Sequence, residues 1–130
     1  MLHTKKIIGF LAGLTMLVVI GCYKDKTVLL DTGDEITRTV SFAADITPIL
    51  NSSCNVSGCH TTGGKAPDLS AANAYTSLTV GNYINTESPP SSVLYLWMTG
   101  KKATPMPVGG INKDYNALVL AWIKQGATNN

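Results

Sequence analysis

Two cysteines and a histidine form the part of the sequence with the clearest chemical potential. Cys54 and Cys59 are separated by four residues, and His60 follows the second cysteine directly. A thiol can add across a vinyl group of haem, and an adjacent imidazole can then bind the iron from the proximal side. The pattern predicts one covalently bound haem c, attached through Cys54 and Cys59, with His60 as an axial ligand. Such a group moves single electrons and implies no bond-making catalysis.

The loop between the cysteines is longer than usual, because the common motif places two residues there. Asn55, Ser57 and Gly58 make the longer loop tolerant of turns. A disulfide between Cys54 and Cys59, or a zinc site of thiols and imidazole, is the alternative. Structural zinc sites usually draw further ligands from a second Cys or His pair. The sequence offers no such pair, because its remaining cysteine and histidine both lie within the first 22 residues.

A methionine between two prolines is the second candidate ligand. Met106 lies in the segment TPMPVGG at residues 104–110. Each proline fixes its own φ and restricts the residue before it, so the Met106 thioether can be held at a defined point on the distal side. Methionine opposite histidine raises the reduction potential, which suits an electron carrier. The alternative is that Met106 only fills an apolar gap. Met98 lies on a predicted helix, where core packing explains it better.

The N-terminal segment has the features of a bacterial lipoprotein signal over residues 1–21. Lys5 and Lys6 precede an apolar run, Ile7–Ile20, that is short for a membrane span. The sequence VIGC at residues 19–22 looks like a lipobox, in which a peptidase cuts before a cysteine that carries diacylglycerol. We expect Cys22 to be the lipidated first residue of the mature chain, stably anchored by several acyl chains. The alternative is an uncleaved signal anchor with Cys22 as a buried apolar residue.

Removing the signal changes the charge balance. The chain has ten Lys and Arg and eight Asp and Glu. The loss of Lys5 and Lys6 leaves eight residues of each sign, so the mature protein lacks the clustered basic charge that nucleic-acid binding needs. About 109 residues remain, which is enough for one domain. In an oxidising compartment, attachment of haem would use both mature thiols other than Cys22.

The segment 22–40 should combine the lipidated tether with a short β-hairpin. β-branched residues in Thr27–Leu30 and Glu35–Val40 flank a turn-like Asp-Thr-Gly-Asp sequence. An extended arm that lies on the domain is an equally good interpretation of this segment.

Residues 41–130 should form a mostly α-helical domain. The first helix begins near Asp45, with Pro48 in its first turn, and leads to Cys54. The second runs from a cap at Ser70 to about Leu78. The third begins at Ser88–Pro90, runs through Trp97 and stops at Gly100. The fourth is capped by Asn112, runs from Lys113 to Gln125 and is terminated by Gly126. Its inward-facing residues are Leu118, Ala121 and Trp122.

Three separated segments carry a resemblance to a known family. They are DITPIL at residues 45–50 leading into Cys54, Cys59 and His60; MPVGG at 106–110; and AWIKQGA at 121–127. Together they resemble bacterial monohaem c-type cytochrome lipoproteins with a class I-like cytochrome c domain. The resemblance implies that Cys54 and Cys59 hold the haem and that His60 and Met106 are its axial ligands. It also implies that the first and last helices pack together, with Ile46, Ile49 and Leu50 against Leu118 and Trp122. Trp97 and Trp122 are expected in the core.

The preferred hypothesis is a non-enzymatic, single-haem electron carrier. It would be lipid-anchored to the inner or outer membrane, facing the periplasm or the cell exterior, with transiently docked redox proteins as partners. Because two axial ligands would occupy all the free coordination positions of the iron, catalysis is disfavoured. The presence of a single Cys-His motif excludes a dihaem peroxidase. One alternative is a haem protein with a labile distal ligand that binds a gas or does redox chemistry. The other is a haem-free lipoprotein binding module with a Cys54 to Cys59 disulfide.

Overall fold

The computed structural model describes residues 33–130, and within that range the chain is helical with no β-strand. A π-helical turn at Phe42–Ile46 runs directly into helix α1, Thr47–Ser53. Helix α2 is Ala74–Val80. A 3₁₀ turn at Pro89–Ser91 precedes helix α3, Val93–Met98, and helix α4 is Lys113–Lys124. The expected mostly α fold class is therefore confirmed for residues 33–130.

The second arm of the expected hairpin is not a strand. Residues 35–40 are irregular, and residues 27–30 lie outside the described part of the chain. Here the side chain of Gln125, instead of a neighbouring strand, forms hydrogen bonds with the backbone of this segment. Its Oε1 accepts a hydrogen bond from Val40 N, and its Nε2 donates one to Arg38 O, both at 2.9 Å. Residues 33–40 thus lie along α4, and the prediction of a hairpin is not supported.

The first helical segment begins at Phe42, three residues before the predicted cap at Asp45. Ser41 is the N-cap, and its hydroxyl accepts a hydrogen bond from Ala44 N. Asp45 instead lies inside the segment, where its carboxylate accepts hydrogen bonds from Ser41 N and from the Arg38 guanidinium. The Ser41 hydroxyl thus caps Ala44 N while the Asp45 carboxylate accepts from Ser41 N, in the manner of a capping box.

The other helices fit the predictions to different degrees. Helix α2 starts at Ala74 because Ser70 closes a separate turn, accepting hydrogen bonds at its carbonyl from Asn73 N and Ala74 N. Gly100, with φ of +71°, follows the end of α3 as expected. Helix α4 is confirmed: Asn112 Oδ1 accepts from the N–H groups of Asp114 and Tyr115. Gly126, with φ of +96°, follows the cap residue Gln125.

The core joins α4 to the π-helical turn and to α3. Trp122 is fully buried, and its ring centroid lies 5.2 Å from that of Phe42. Phe42 also makes an edge-to-face contact with Tyr75 of α2. The residues expected between the first and last helices are found in or against this core: Ile46, Leu50 and Trp122 are members, Leu118 packs against it, and Ile49 is buried. Trp97, also expected in the core, is only half-buried.

Candidate functional site

Helix α1 positions the two cysteines. Cys54 is the C-cap of α1, and its N–H donates to Leu50 O at 2.9 Å. The chain then turns back on itself: Cys59 N donates to Val56 O, and His60 N donates to Cys54 O at 3.2 Å. Gly58 has φ of +79° in this turn, a conformation that glycine adopts without strain. The four intervening residues therefore form a folded loop that returns His60 to the backbone of Cys54.

Cys54 and Cys59 are both free, half-buried thiols. Burial raises the pKa of the Cys54 thiol to about 11, and the neighbouring Cys59 adds to the increase. At neutral pH Cys54 is therefore a protonated thiol. Within residues 33–130 no group of three His, Cys, Asp or Glu side chains is arranged to hold a metal ion.

The imidazole of His60 is fixed in orientation by two backbone carbonyls. Its Nδ1 atom lies 3.1 Å from the carbonyl oxygen of Lys65 and 3.1 Å from that of Pro67. A carbonyl oxygen only accepts hydrogen bonds, so Nδ1 carries the ring proton and donates it. In the neutral ring, the lone pair is then on Nε2. This tautomer is the one that can bind a metal through Nε2, with a hydrogen bond that raises the basicity of the ring.

The loop that supplies these carbonyls is itself held in place. Leu69 N donates to His60 O at 2.8 Å, and the Leu69 side chain is buried in the core. Asp68 accepts hydrogen bonds from Ser70 N at 2.9 Å and from Asn73 Nδ2 at 2.8 Å. Hydrogen bonds from Ser70, followed by a smaller one from Asn73, lower the pKa of Asp68 to about 2. The carboxylate is therefore ionised at neutral pH, and its hydrogen bonds to Ser70 and Asn73 hold the loop in place directly after Pro67.

Met106 lies on a different loop, positioned by α3. Its N–H donates to Trp97 O at 3.0 Å, and Gly110 N donates to Pro107 O at 2.9 Å. The Met106 side chain is half-buried, whereas Met98 is 3 % exposed and belongs to the core. The prediction that Met98 is a packing residue is confirmed. Met106 is therefore the methionine of the described residues whose thioether is not enclosed in the core.

The structure thus brings Cys54, Cys59 and His60 together in one loop and puts Met106 in a second loop. Sequence reasoning missed the carbonyl groups of Lys65 and Pro67 and the bracing carboxylate of Asp68. A backbone acceptor has no side-chain signature, so the only available signal was the Pro-Asp-Leu-Ser sequence shortly after His60. The residues expected to form the signal, and Cys22, the expected lipidation site, lie outside residues 33–130.

Comparisons with known proteins identify no relative of this chain. No protein-family model, no curated protein and no solved structure matches it. In the part of the chain that the structure describes, no helix has the length and apolar character needed to cross a membrane.

Proposed function

We propose that this chain is a monohaem c-type cytochrome that transfers single electrons and is not an enzyme. Cys54 and Cys59 would hold one haem c through thioether bonds, His60 would be the proximal ligand, and Met106 the distal ligand. The observation that carries the proposal is the tautomer of His60. With Nδ1–H donated to the carbonyls of Lys65 and Pro67, Nε2 keeps its lone pair, and His60 lies in the same loop as two free cysteines.

The residues of the site fit the group in their chemistry. Neither cysteine is used by a disulfide, so both are free to form thioether bonds with the vinyl groups of haem. The hydrogen bonds at Nδ1 orient the His60 ring and increase its basicity, as second-shell partners do for metal-binding histidines. When bound, haem supplies an iron that exchanges one electron at a potential set by its axial ligands and surroundings. A thioether from Met106 would favour the ferrous state, and with His60 it would leave no ligand position for a substrate.

In this proposal, the signal sequence and Cys22 determine the cellular location of the protein. A lipidated Cys22 would anchor the protein to the inner or outer membrane, facing the periplasm or the cell exterior. The tether, residues 22–40, would then connect the anchor to the haem domain, residues 41–130. Redox proteins that dock transiently would be the electron donor and acceptor.

The decisive experiment is to identify what is bound to the cysteines. The full chain is expressed with export and cytochrome maturation functions, purified in detergent, and examined by absorption spectroscopy and by mass spectrometry after acid extraction. The expected result is a Soret band and a haem-sized mass increment that resists extraction. The Cys54→Ala and Cys59→Ala variants should each leave only one thioether bond, which shifts the pyridine haemochrome spectrum.

Cys22→Ala is the matched control, because it removes a cysteine outside the candidate site. This variant should keep the haem and lose the lipid, with its signal segment left uncleaved. A colourless wild-type protein that is two hydrogens lighter than its thiol form would instead indicate a haem-free disulfide module. Ready carbon monoxide binding by the reduced wild-type protein would instead favour the gas-binding alternative.

A further inference from the structure

The described chain enters the domain at the beginning of helix α4. Gly33 N donates to Lys113 O at 2.8 Å, and a Cβ on Gly33 would lie only 2.8 Å from Asp114 Oδ1. From this point residues 33–40 run along α4 to its other end, where the Gln125 side chain forms hydrogen bonds with their backbone. The segment is therefore bound to the domain from Gly33 onward and does not lengthen the connection to the proposed anchor.

The length of the chain limits the distance between the proposed anchor and this entry point. Ten residues, 23–32, separate Cys22 from Gly33. The steps between these two residues can span at most about 40 Å when fully extended. A domain of about 100 residues has a radius of gyration of about 13 Å, so this maximum is close to the diameter of the domain. If Cys22 carries lipid, the beginning of α4 therefore stays close to the bilayer.

Two of the four large apolar side chains that are exposed on the described chain lie just before α4. Ile111, which is 47 % exposed, is two residues before Lys113, so their Cα atoms are at most about 8 Å apart. Its side chain packs against Gly100, because a Cβ there would lie 3.0 Å from Ile111 Cδ1. Val108, which is 74 % exposed, lies three residues earlier in a hydrogen-bonded turn at residues 107–110. Exposed apolar side chains thus precede the point where the chain from the anchor arrives.

The charges beside the entry point have both signs. Lys113 is followed by Asp114, residues 34 and 35 are also acidic, and all four are exposed. Such a surface has no excess of positive charge to attract anionic lipid. Contact with a bilayer would instead come from apolar side chains at the boundary between headgroups and acyl chains. A short connection to the anchor gives a high local concentration, so a small apolar contact is enough.

We propose that the entry end of the domain, Gly33 with residues 108–114, docks on the bilayer that holds the proposed lipid anchor. Val108 and Ile111 insert at the headgroup boundary. This inference rests on the proposed function, because it requires the lipid on Cys22, and it adds the face of the domain that contacts the membrane. Met106 lies two residues before Val108, so docking turns the loop of the proposed distal ligand toward the bilayer.

The test compares the two exposed lysines at the ends of α4, Lys113 and Lys124. The full lipidated chain is reconstituted in phosphatidylcholine vesicles, which have no net charge and no reactive amine. It is treated briefly with sulfo-N-hydroxysuccinimide acetate, which does not cross bilayers, and acetylation of each lysine is measured by mass spectrometry of peptides. The ratio of Lys113 to Lys124 acetylation should increase several-fold in Val108→Asp/Ile111→Gln, because an undocked domain exposes Lys113 to the reagent.

Val108→Asp alone should give part of this increase, and the substitution is at a side chain outside the core. Val80→Asp is the matched control, because Val80 is 76 % exposed and lies at the end of α2. It should leave the ratio at the wild-type value. An unchanged ratio in both Val108 variants would overturn the docking inference, as would an equal increase in Val80→Asp.

The intact mass of the purified protein reports the lipid and the haem separately. A chain with lipid but without haem would overturn the proposed electron transfer, while the acetylation ratio would still decide whether the domain docks. A chain without lipid on Cys22 would overturn the docking inference together with the proposed anchor. The failure of the haem proposal and the failure of the docking inference are therefore distinguishable.

Discussion

The Nδ1 atom of His60 lies 3.1 Å from the carbonyl oxygen of Pro67, across a loop of seven residues. This contact makes the loop after the cysteines part of the candidate site, because it fixes both the tautomer and the direction of the imidazole. The loop has its own support in Asp68, which accepts hydrogen bonds from Ser70 N and Asn73 Nδ2. The position of the Pro67 carbonyl therefore depends on the Asp68 carboxylate, whose hydrogen bonds go to Ser70 and Asn73 and not to the imidazole.

Asp68→Ala should raise the reduction potential of the haem-loaded protein. Loss of both hydrogen bonds loosens the loop and weakens the bond from Nδ1–H to the Pro67 carbonyl. The imidazole then becomes a weaker donor to ferric iron. A potentiometric titration measures the shift. Asp68→Asn is the control, because it removes the charge but keeps an acceptor for Ser70 N. The shift in Asp68→Ala should exceed that in Asp68→Asn, and equal shifts would show that only the lost charge matters.

Met106→Ala should remove the proposed distal ligand. In the haem-loaded protein we expect loss of the sulfur-to-iron absorption band, binding of carbon monoxide by the reduced form, and a potential lower by on the order of 0.1 V or more. Met98→Leu is the matched control, because it replaces a buried methionine with a side chain of similar volume. That change should leave the spectrum intact and cost less than about 1.5 kcal/mol of stability. An unaltered spectrum in Met106→Ala would remove this residue from the site.

The ion pair between Arg38 and Asp45 should make stability depend on pH under acidic conditions. Hydrogen bonds from Arg38 and then Ser41 lower the pKa of Asp45 from 3.8 to about 2 in the folded chain. A carboxylate with a lowered folded pKa stabilises the fold above its unfolded pKa, and this contribution is lost as the pH falls through the folded pKa. The wild-type free energy of unfolding should therefore decrease between about pH 4 and pH 2.

Asp45→Asn isolates this contribution. The variant should be modestly less stable than the wild-type protein at pH 7, because the pair is solvent-exposed. Its free energy of unfolding, measured by denaturant titration followed by circular dichroism, should approach the wild-type value near pH 2. Asp68 titrates in the same range and supplies a slope that both proteins share. A stability difference that stays constant from pH 7 to pH 2 would contradict the role assigned to the Asp45 charge.

The parts of the fold that sequence alone predicted are those with local signals. Helix α4 has an amide cap at Asn112 and a glycine at 126, and both act as expected. The strand predicted for Glu35–Val40 failed because its partner is the Gln125 side chain, which is 85 residues away from Val40 in sequence. The site divides in the same way. The types and spacing of Cys54, Cys59 and His60 are visible in the sequence, whereas the carbonyl acceptors for His60 depend on how the following loop folds.

Trp122→Phe should destabilise the domain by about 1–3 kcal/mol. The fully buried indole contacts Phe42, and its Nε1–H donates to Thr128 O at 2.9 Å. Phenylalanine leaves a cavity beside Phe42 and removes the hydrogen bond to Thr128 O. Trp97→Phe is the matched control, because the same substitution at a half-buried indole removes less packing. Denaturant unfolding should show a clearly smaller loss for Trp97→Phe. If the two losses were equal, the π-helical turn would not depend on Trp122 for its attachment to α4.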